Sequence, residues 1–269
     1  MMDDQIDDSP FILTLLGNSN IQELSEAVLS NPGPMAEVVI ESADFRGQQP
    51  NWSSDSVRNL FAMIGSLPLL QSIQFKFLGN DHNNMIPLSL FTEFLNCTAA
   101  RTQLESIRFN RVGPIFCVGN DIENFSDAIR KQTSLQEFRM AGCSFSHSWL
   151  SGDSNGRYTA SLDPVLLALA QLADLRSVHL MATSFSHLGR FQTQSISSLC
   201  QSSTLKRLYI DNFDLGNDHV TAVATVIAGN ASIQDLYMNL STVANLDPRI
   251  LPASLNSNQN LCRLRLRLA

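Results

Sequence analysis

The stretch that decides the fold runs from Leu205 to Ser232 and reads LKRLYIDNFDLGNDHVTAVATVIAGNAS. In its first half, Leu208 and Ile210 alternate with polar residues, which predicts a strand with one buried face. In its second half, apolar residues recur three and four positions apart, which predicts an amphipathic helix. These residues are Val220, Val223, Ala224 and Ile227. The pattern restarts at Ile233 and again at Leu261, each time after 28 residues. Because one strand and one helix cannot bury both apolar faces alone, such a unit must stack on copies of itself.

The same strand pattern recurs towards the N-terminus, and we count eight strand units in all. They start at Met35, Leu70, Leu104, Leu135, Leu175, Leu205, Ile233 and Leu261. We predict three regions: a disordered acidic lead over 1–10, a helical cap over 11–34, and a repeat solenoid over 35–269. Strands that alternate with helices form a parallel sheet with right-handed connections. The predicted fold is therefore an α/β solenoid, with a curved parallel sheet inside and helices outside.

These units resemble leucine-rich repeats of the ribonuclease-inhibitor-like class. The resemblance is most specific over residues 214–238, DLGNDHVTAVATVIAGNASIQDLYM, and in the turn sequences at 78–81, 118–121 and 215–218. It extends over about residues 20–269. The ninth repeat position departs from the family, which often has Asn or Cys there to join neighbouring backbones. Only Cys143 fits among Ala43, Leu78, Val112, Cys143, Thr183, Phe213 and Ser241.

Composition disfavours several classes of protein. The net charge is −7 with three lysines and no basic cluster, so we expect no nucleic-acid partner. We also expect no membrane span, since no apolar run approaches 18 residues, and no secretory signal in the acidic N-terminus. The five cysteines are widely spaced without a C-x-x-C pair, which is typical of reduced thiols in a cytoplasmic protein.

We find no residue pattern that predicts catalysis, a cofactor or a metal site. GDSNG at 152–156 matches the nucleophile elbow G-x-S-x-G, but it lies in a polar insertion without a buried strand before it. A surface loop explains it better than a hydrolase that uses Ser154. The five histidines lack metal-binding spacing, and His82 and His219 occupy the same slot in two LGNDH turns.

The candidate binding residues occupy the central slot of each strand, between the buried positions. From the third strand onwards this slot holds only cationic, aromatic or histidine side chains: Arg108, Arg139, His179, Tyr209, Tyr237 and Arg265. Arg and Tyr often anchor protein interfaces, because they bury a large area and keep a polar tip. The competing interpretation is that long amphipathic side chains only cover a sheet that must face water.

We therefore expect a non-catalytic scaffold that binds a protein partner through the concave face of the sheet. The resemblance implies one alternative, regulation of a small GTPase as in the Ran-GTPase-activating proteins, although no local motif carries that activity. The final segment LCRLRLRLA ends on a predicted strand that presents Arg263, Arg265 and Arg267. This end of the chain has three interpretations. The arginines protect an exposed sheet edge by their charge, the chain self-associates through that edge, or the chain is a truncated piece of a longer repeat array.

Overall fold

The computed structural model describes residues 10–16, 20–30, 35–42, 50–77, 85–100, 104–113, 115–143, 145–147, 161–182, 192–211, 213, 215, 217–239 and 258–267. Within these ranges the chain forms twelve strands and seven helices. The strands are β1 (Phe11–Leu15), β2 (Glu37–Ser42), β3 (Ser72–Phe77), β4 (Ile86–Pro87), β5 (Ser106–Asn110), β6 (Ile115–Cys117), β7 (Glu137–Cys143), β8 (Phe145–His147), β9 (Ser177–Ala182), β10 (Arg207–Asp211), β11 (Asp235–Asn239) and β12 (Arg263–Arg267). The helices are α1 (Ile21–Ser30), α2 (Asp55–Gly65), α3 (Leu88–Ala99), α4 (Asp121–Arg130), α5 (Asp163–Ala170), α6 (Thr193–Cys200) and α7 (Asn217–Gly229).

Nine strands form one large parallel sheet in the order β1-β2-β3-β5-β7-β9-β10-β11-β12. Strand order follows chain order, as a stack of repeated units requires. All eight strands predicted from the sequence are present. The predicted α/β class with a parallel sheet is therefore confirmed.

The seven helices form one layer, in which each helix packs against the next one along the chain. This layer covers the sheet face that carries the apolar strand residues. The unit of β10 and α7 shows why, since Leu208, Ile210, Val220, Val223 and Ile227 are all buried in the common core. The period-two pattern of the strand and the helical stripe thus meet as predicted. α5 begins at Asp163 followed by Pro164, and proline is favoured at the first positions of a helix.

Phenylalanine dominates the N-terminal half of the core. Phe75 on β3 lies 5.6 Å from Phe61 on α2, 5.0 Å from Phe91 on α3 and 5.2 Å from Phe109 on β5, measured between ring centroids. These rings join the sheet to two helices, and offset or edge-on aromatic pairs add to the burial of apolar area.

The predicted helical cap is wrong at its start, because residues 11–15 form a strand. β1 pairs in parallel with β2, from Phe11 opposite Val38 to Leu15 opposite Ser42. Leu13 and Leu15 are buried whereas Ile12 is 56% exposed, which is the period of a strand. Only α1 remains of the cap, and its apolar residues Ile21 and Val28 enter the core.

A second, three-stranded parallel sheet was not predicted. It has the order β4-β6-β8. Along the chain, these three strands follow the main-sheet strands β3, β5 and β7, respectively. Its strands contain only two or three residues each, which is too short for a recognisable alternation.

Several sequence-based predictions lie outside the described residues. They concern the acidic lead apart from Pro10, the GDSNG segment with Ser154, and the histidines at 82 and 187. The same holds for the ninth repeat position at 43, 78, 183 and 241.

Candidate binding face

Strand register brings the predicted candidate residues into one row across the sheet. The row reads Val39, Gln74, Arg108, Arg139, His179, Tyr209, Tyr237 and Arg265. Each member lies between two core-facing positions, so the row belongs to the sheet face turned away from the helices. We call this face the open face. β1 adds one more residue to the row, Ile12, which lies opposite Val39. The helical prediction for 11–15 had missed Ile12.

Arg108 is held by carboxylates on both sides of its own strand. Its Nη2 lies 2.9 Å from Oε2 of Glu137, and its Nη1 lies 3.8 Å from Oε1 of Glu37. Burial alone would raise the pKa of Glu137, but the hydrogen bond from Arg108 and the charges of Arg108, Arg207 and Arg139 lower it overall. The Arg108 guanidinium is therefore engaged within the protein, whereas Arg139 and Arg265 form no ion pair with any residue that the structure describes.

The remaining five candidates line one groove on the C-terminal half of the open face, with a volume of about 290 Å³. We call it the open-face groove. It is lined by Arg139, His179, Tyr209, Tyr237 and Arg265, together with Arg207, Arg263 and the carboxylates of Glu137 and Asp235. Arg108 is not among its lining residues. The structure thus separates one predicted site residue from the other five.

Three rings form a continuous stack along the groove. The ring centroids of His179 and Tyr209 are 4.0 Å apart with planes tilted by 41°. Tyr209 and Tyr237 are also 4.0 Å apart and almost parallel, at 6°. The stack arises because register places the three residues on adjacent strands, where side chains of one face lie side by side.

Asp211 fixes the stack from one side. Its Oδ2 accepts a hydrogen bond of 3.3 Å from the Tyr209 hydroxyl, and its Oδ1 accepts one of 2.7 Å from Nδ2 of Asn239. Burial, the adjacent Tyr237 hydroxyl and the Asp211 charge all raise the pKa of Tyr209, so its hydroxyl remains protonated at neutral pH. The rings are therefore rigidly placed before any partner arrives.

Two nitrogen atoms beside the stack are buried without a hydrogen-bond partner in the described part of the chain. They are Nε of Arg139 and Nε2 of His179. Burial, reinforced by the charge of Arg139, lowers the pKa of His179 to about 4. His179 is therefore neutral at pH 7, whereas Arg139 remains a cation with an unused donor. Buried polar atoms of folded proteins usually have partners, and Nε1 of Trp52 and Oγ of Ser72 are two further exceptions among the described residues.

Metal binding and thiol chemistry find little support among the described residues. No group of three or more His, Cys, Asp or Glu side chains among them could hold a metal ion. All five cysteines are unpaired, and burial raises the pKa of Cys117, Cys143 and Cys200 to about 12, which makes these thiols poor nucleophiles. None of the helices in the described ranges has the length and apolar character needed to cross a membrane.

Comparison with known proteins supports the fold and leaves the function open. No protein-family model matches the chain, and no curated protein matches it. Among solved structures, it is similar to a crystal structure of a Bacteroides fragilis protein determined as a structural-genomics target. That alignment has a TM-score of 0.51 and 11% sequence identity, and covers 96% of this chain and 68% of the other. At this identity the likeness concerns the fold alone, which is an α/β arrangement built on a large parallel sheet.

Proposed function

We propose that this chain is a non-catalytic scaffold that binds a protein partner through the open-face groove. The observation that carries the proposal is the stack of His179, Tyr209 and Tyr237 bordered by arginines on an open sheet face. Tyr and Arg are the residue types most enriched where protein interfaces concentrate their binding energy. A rigid stack also loses little side-chain entropy when a partner binds.

The competing interpretation is that these side chains only cover the sheet. Simple coverage would place polar tips in water, as lysine and arginine do on most surfaces. Here the rings of His179, Tyr209 and Tyr237 instead pack against one another, and the Tyr209 hydroxyl is hydrogen-bonded to Asp211. Side chains ordered in this way lose little entropy on binding, which favours a surface prepared for a ligand.

We further propose that the units are leucine-rich repeats of the ribonuclease-inhibitor-like class and that the open face is concave. The 28-residue spacing of the C-terminal units supports this, as does Cys143, whose Sγ lies 3.7 Å from the carbonyl oxygen of Phe109 on the neighbouring strand. This is the kind of inter-strand contact that the ninth repeat position provides in the family. A crystal structure would test it, since a flat sheet would contradict the curvature.

We also propose a cytoplasmic location, supported by the five unpaired cysteines, three of which are fully buried. Fractionation of cells that express the tagged chain tests it, and recovery in the secreted fraction would contradict it.

A comparative pull-down tests the binding function. The bait variant carries Arg139→Ala, Tyr209→Ala and Tyr237→Ala together, and we expect it to lose partners that the wild-type bait retains. The control bait carries Arg58→Ala and Lys131→Ala on the helix side, and should retain them. Circular dichroism and thermal unfolding establish that each bait is folded. Equal recovery of partners by the folded triple variant and the wild type would overturn the proposal.

Two further measurements on the same samples separate the alternatives. Stimulated GTP hydrolysis by a recovered small GTPase would favour the regulator interpretation over a passive scaffold. Self-association through β12, whose only neighbour in the described sheet is β11, would appear as a sedimentation coefficient that rises with concentration. A constant sedimentation coefficient would rule self-association out.

A further inference from the structure

The charges around the open-face groove are not balanced. Its nearby carboxylates are engaged within the protein: Glu137 with Arg108, Asp211 with Tyr209 and Asn239, and Asp235 with Arg263 at 3.6 Å. By contrast, Arg139, Arg207 and Arg265 form no contact ion pair within the described residues, although the charges of Arg139 and Arg207 also act on Glu137. A chain with a net charge of −7 thus gathers unpaired cations at one groove.

A guanidinium group can only donate hydrogen bonds, so a ligand that pairs with these arginines must supply acceptors. The Nε atom of Arg139 is itself buried, so acceptors would meet the outer nitrogen atoms of the guanidinium groups, and Arg207 and Arg265 expose theirs to solvent. A carboxylate is the acceptor that matches a guanidinium best among protein side chains, because both groups are planar and can pair through two hydrogen bonds.

The geometry of the aromatic stack disfavours nucleic acid as the occupant. Single-stranded nucleic acids bind proteins by laying bases on free aromatic faces. Here one face of Tyr209 is taken by His179 and the other by Tyr237, each with ring centroids 4.0 Å away. Tyr209 therefore offers a ligand only its ring edge, which carries partial positive charge and attracts anions.

We propose, on the basis of the binding function proposed above, that the open-face groove takes an extended acidic segment of a partner protein, whose Asp or Glu side chains pair with Arg139, Arg207 and Arg265. Arg139 and Arg265 lie on strands four steps apart in the sheet, which is roughly 19 Å at the usual strand spacing. An extended chain covers that distance with about six residues. The segment crosses the strands along the row, with its acidic side chains spaced to reach the arginines at both ends.

Fluorescence anisotropy with defined peptides tests this inference. The probe is fluorescein-labelled Glu-Leu-Glu-Leu-Glu-Leu-Glu, and the matched peptide has Gln in place of every Glu. We expect the Glu probe to bind at least about tenfold more tightly than the Gln peptide, since charge-assisted hydrogen bonds are roughly twice as strong as neutral ones. Raising NaCl from about 50 to about 300 mM should weaken the binding of the Glu probe only.

Protein variants locate the binding. Arg207→Glu with Arg265→Glu changes two exposed side chains, so the fold should survive. The double variant should lose the Glu probe and gain affinity for the corresponding Lys peptide. Arg58→Glu on the helix side is the control and should bind the Glu probe like the wild type.

The outcomes distinguish this inference from the broader function. Equal binding of the Glu and Gln peptides would overturn the acidic segment, as would tighter binding of an oligothymidylate than of the Glu probe. Binding of the Glu probe by the double variant at wild-type strength would also overturn it. In each of these cases the scaffold function stands if the Arg139, Tyr209 and Tyr237 triple variant still loses its partners, and falls only if that variant keeps them.

Discussion

His179 shows how much a residue's behaviour depends on its surroundings. Its position in the row follows from strand register, but its neutral charge follows from burial and from the nearby Arg139 cation. Its ring lies 4.0 Å from that of Tyr209, and its Nε2 is buried without a partner in the described part of the chain. Protonation would add a second half-buried cation next to Arg139. The aromatic stack therefore requires a neutral histidine.

This requirement predicts that stability falls as pH decreases below neutrality. The folded-state pKa of His179 is about 4, below its unfolded value of about 6.5, so the unfolded chain binds more protons between these values. Stability must then rise with pH across this window, and decline as pH falls from about 6.5 towards about 4. We expect the urea midpoint of His179→Gln to decline less over this range than that of the wild type.

The control for this prediction is Thr225→Ala, a change at an exposed and non-titrating residue of α7, which should decline in parallel with the wild type. The comparison is needed because carboxylates in general also bind protons in the acidic part of this range. Identical pH profiles for His179→Gln and the wild type would contradict the assignment of a neutral buried histidine.

At the scale of elements, asparagine side chains in the turns before β11 and β12 join a unit to its neighbour. Nδ2 of Asn230 donates to the carbonyl oxygens of Cys200 and Ser202 at 2.7 and 3.2 Å, and its Oδ1 accepts from the backbone N–H of Ser232 and Ile233. Asn258, 28 residues later, repeats the arrangement with Ile227 and Asn230. These asparagines satisfy carbonyl groups at a helix end and set the turn into the next strand.

We predict that Asn230→Ala destabilises the protein by about 1–3 kcal/mol, because it leaves backbone groups without partners at a partly buried site. Denaturant unfolding monitored by circular dichroism measures the change. Thr225→Ala is the control, since Thr225 is exposed and its hydroxyl bonds only within α7, so its effect should stay within about 0.5 kcal/mol. Equal unfolding midpoints for the two variants would show that the asparagine is dispensable.

At the scale of the whole molecule, packing is mainly between neighbours. Sheet strands pair with adjacent units, and helices pack against adjacent helices. Phe75 belongs to this scale because its ring joins β3 to α2, α3 and β5. Truncation of Phe75 should therefore destabilise the N-terminal units first. Distant units should be affected only through the interfaces between successive neighbouring units.

We predict that Phe75→Ala costs about 3–5 kcal/mol of stability, because it removes a large buried ring. Native-state amide exchange should show the largest loss of protection in α2, β3, α3 and β5, and a smaller loss in β10 and β11. Ile210→Ala, a buried truncation on β10, should show the opposite distribution. Uniform loss of protection in both variants would instead indicate that the chain unfolds as one cooperative unit.

The sequence by itself determined the repeating strand and helix units, the eight strands that it predicted, and the row from Arg108 to Arg265. The physical reason is that side chains return to the same face every 2 residues in a strand and every 3.6 residues in a helix. Because one face is buried, apolar residues recur in the sequence with these periods. The helical prediction for 11–15 was wrong because FILTL is too short and too apolar for its period to be read, and pairing with β2 decided it. The strands of the second sheet were too short for the same reason.

Only the tertiary structure decided which cations of the row are available. Arg108 and Arg139 occupy equivalent slots on adjacent strands and look alike in the sequence. In the structure Glu37 and Glu137 engage Arg108, whereas Arg139 lies against the stack with its Nε unpartnered in the described residues. The distinction depends on distances of a few ångströms between side chains about 30 to 70 residues apart, and local periodicity carries no information about such distances. The tertiary structure therefore determines the open-face groove, although the repeat pattern of the sequence determines which residues lie in the row.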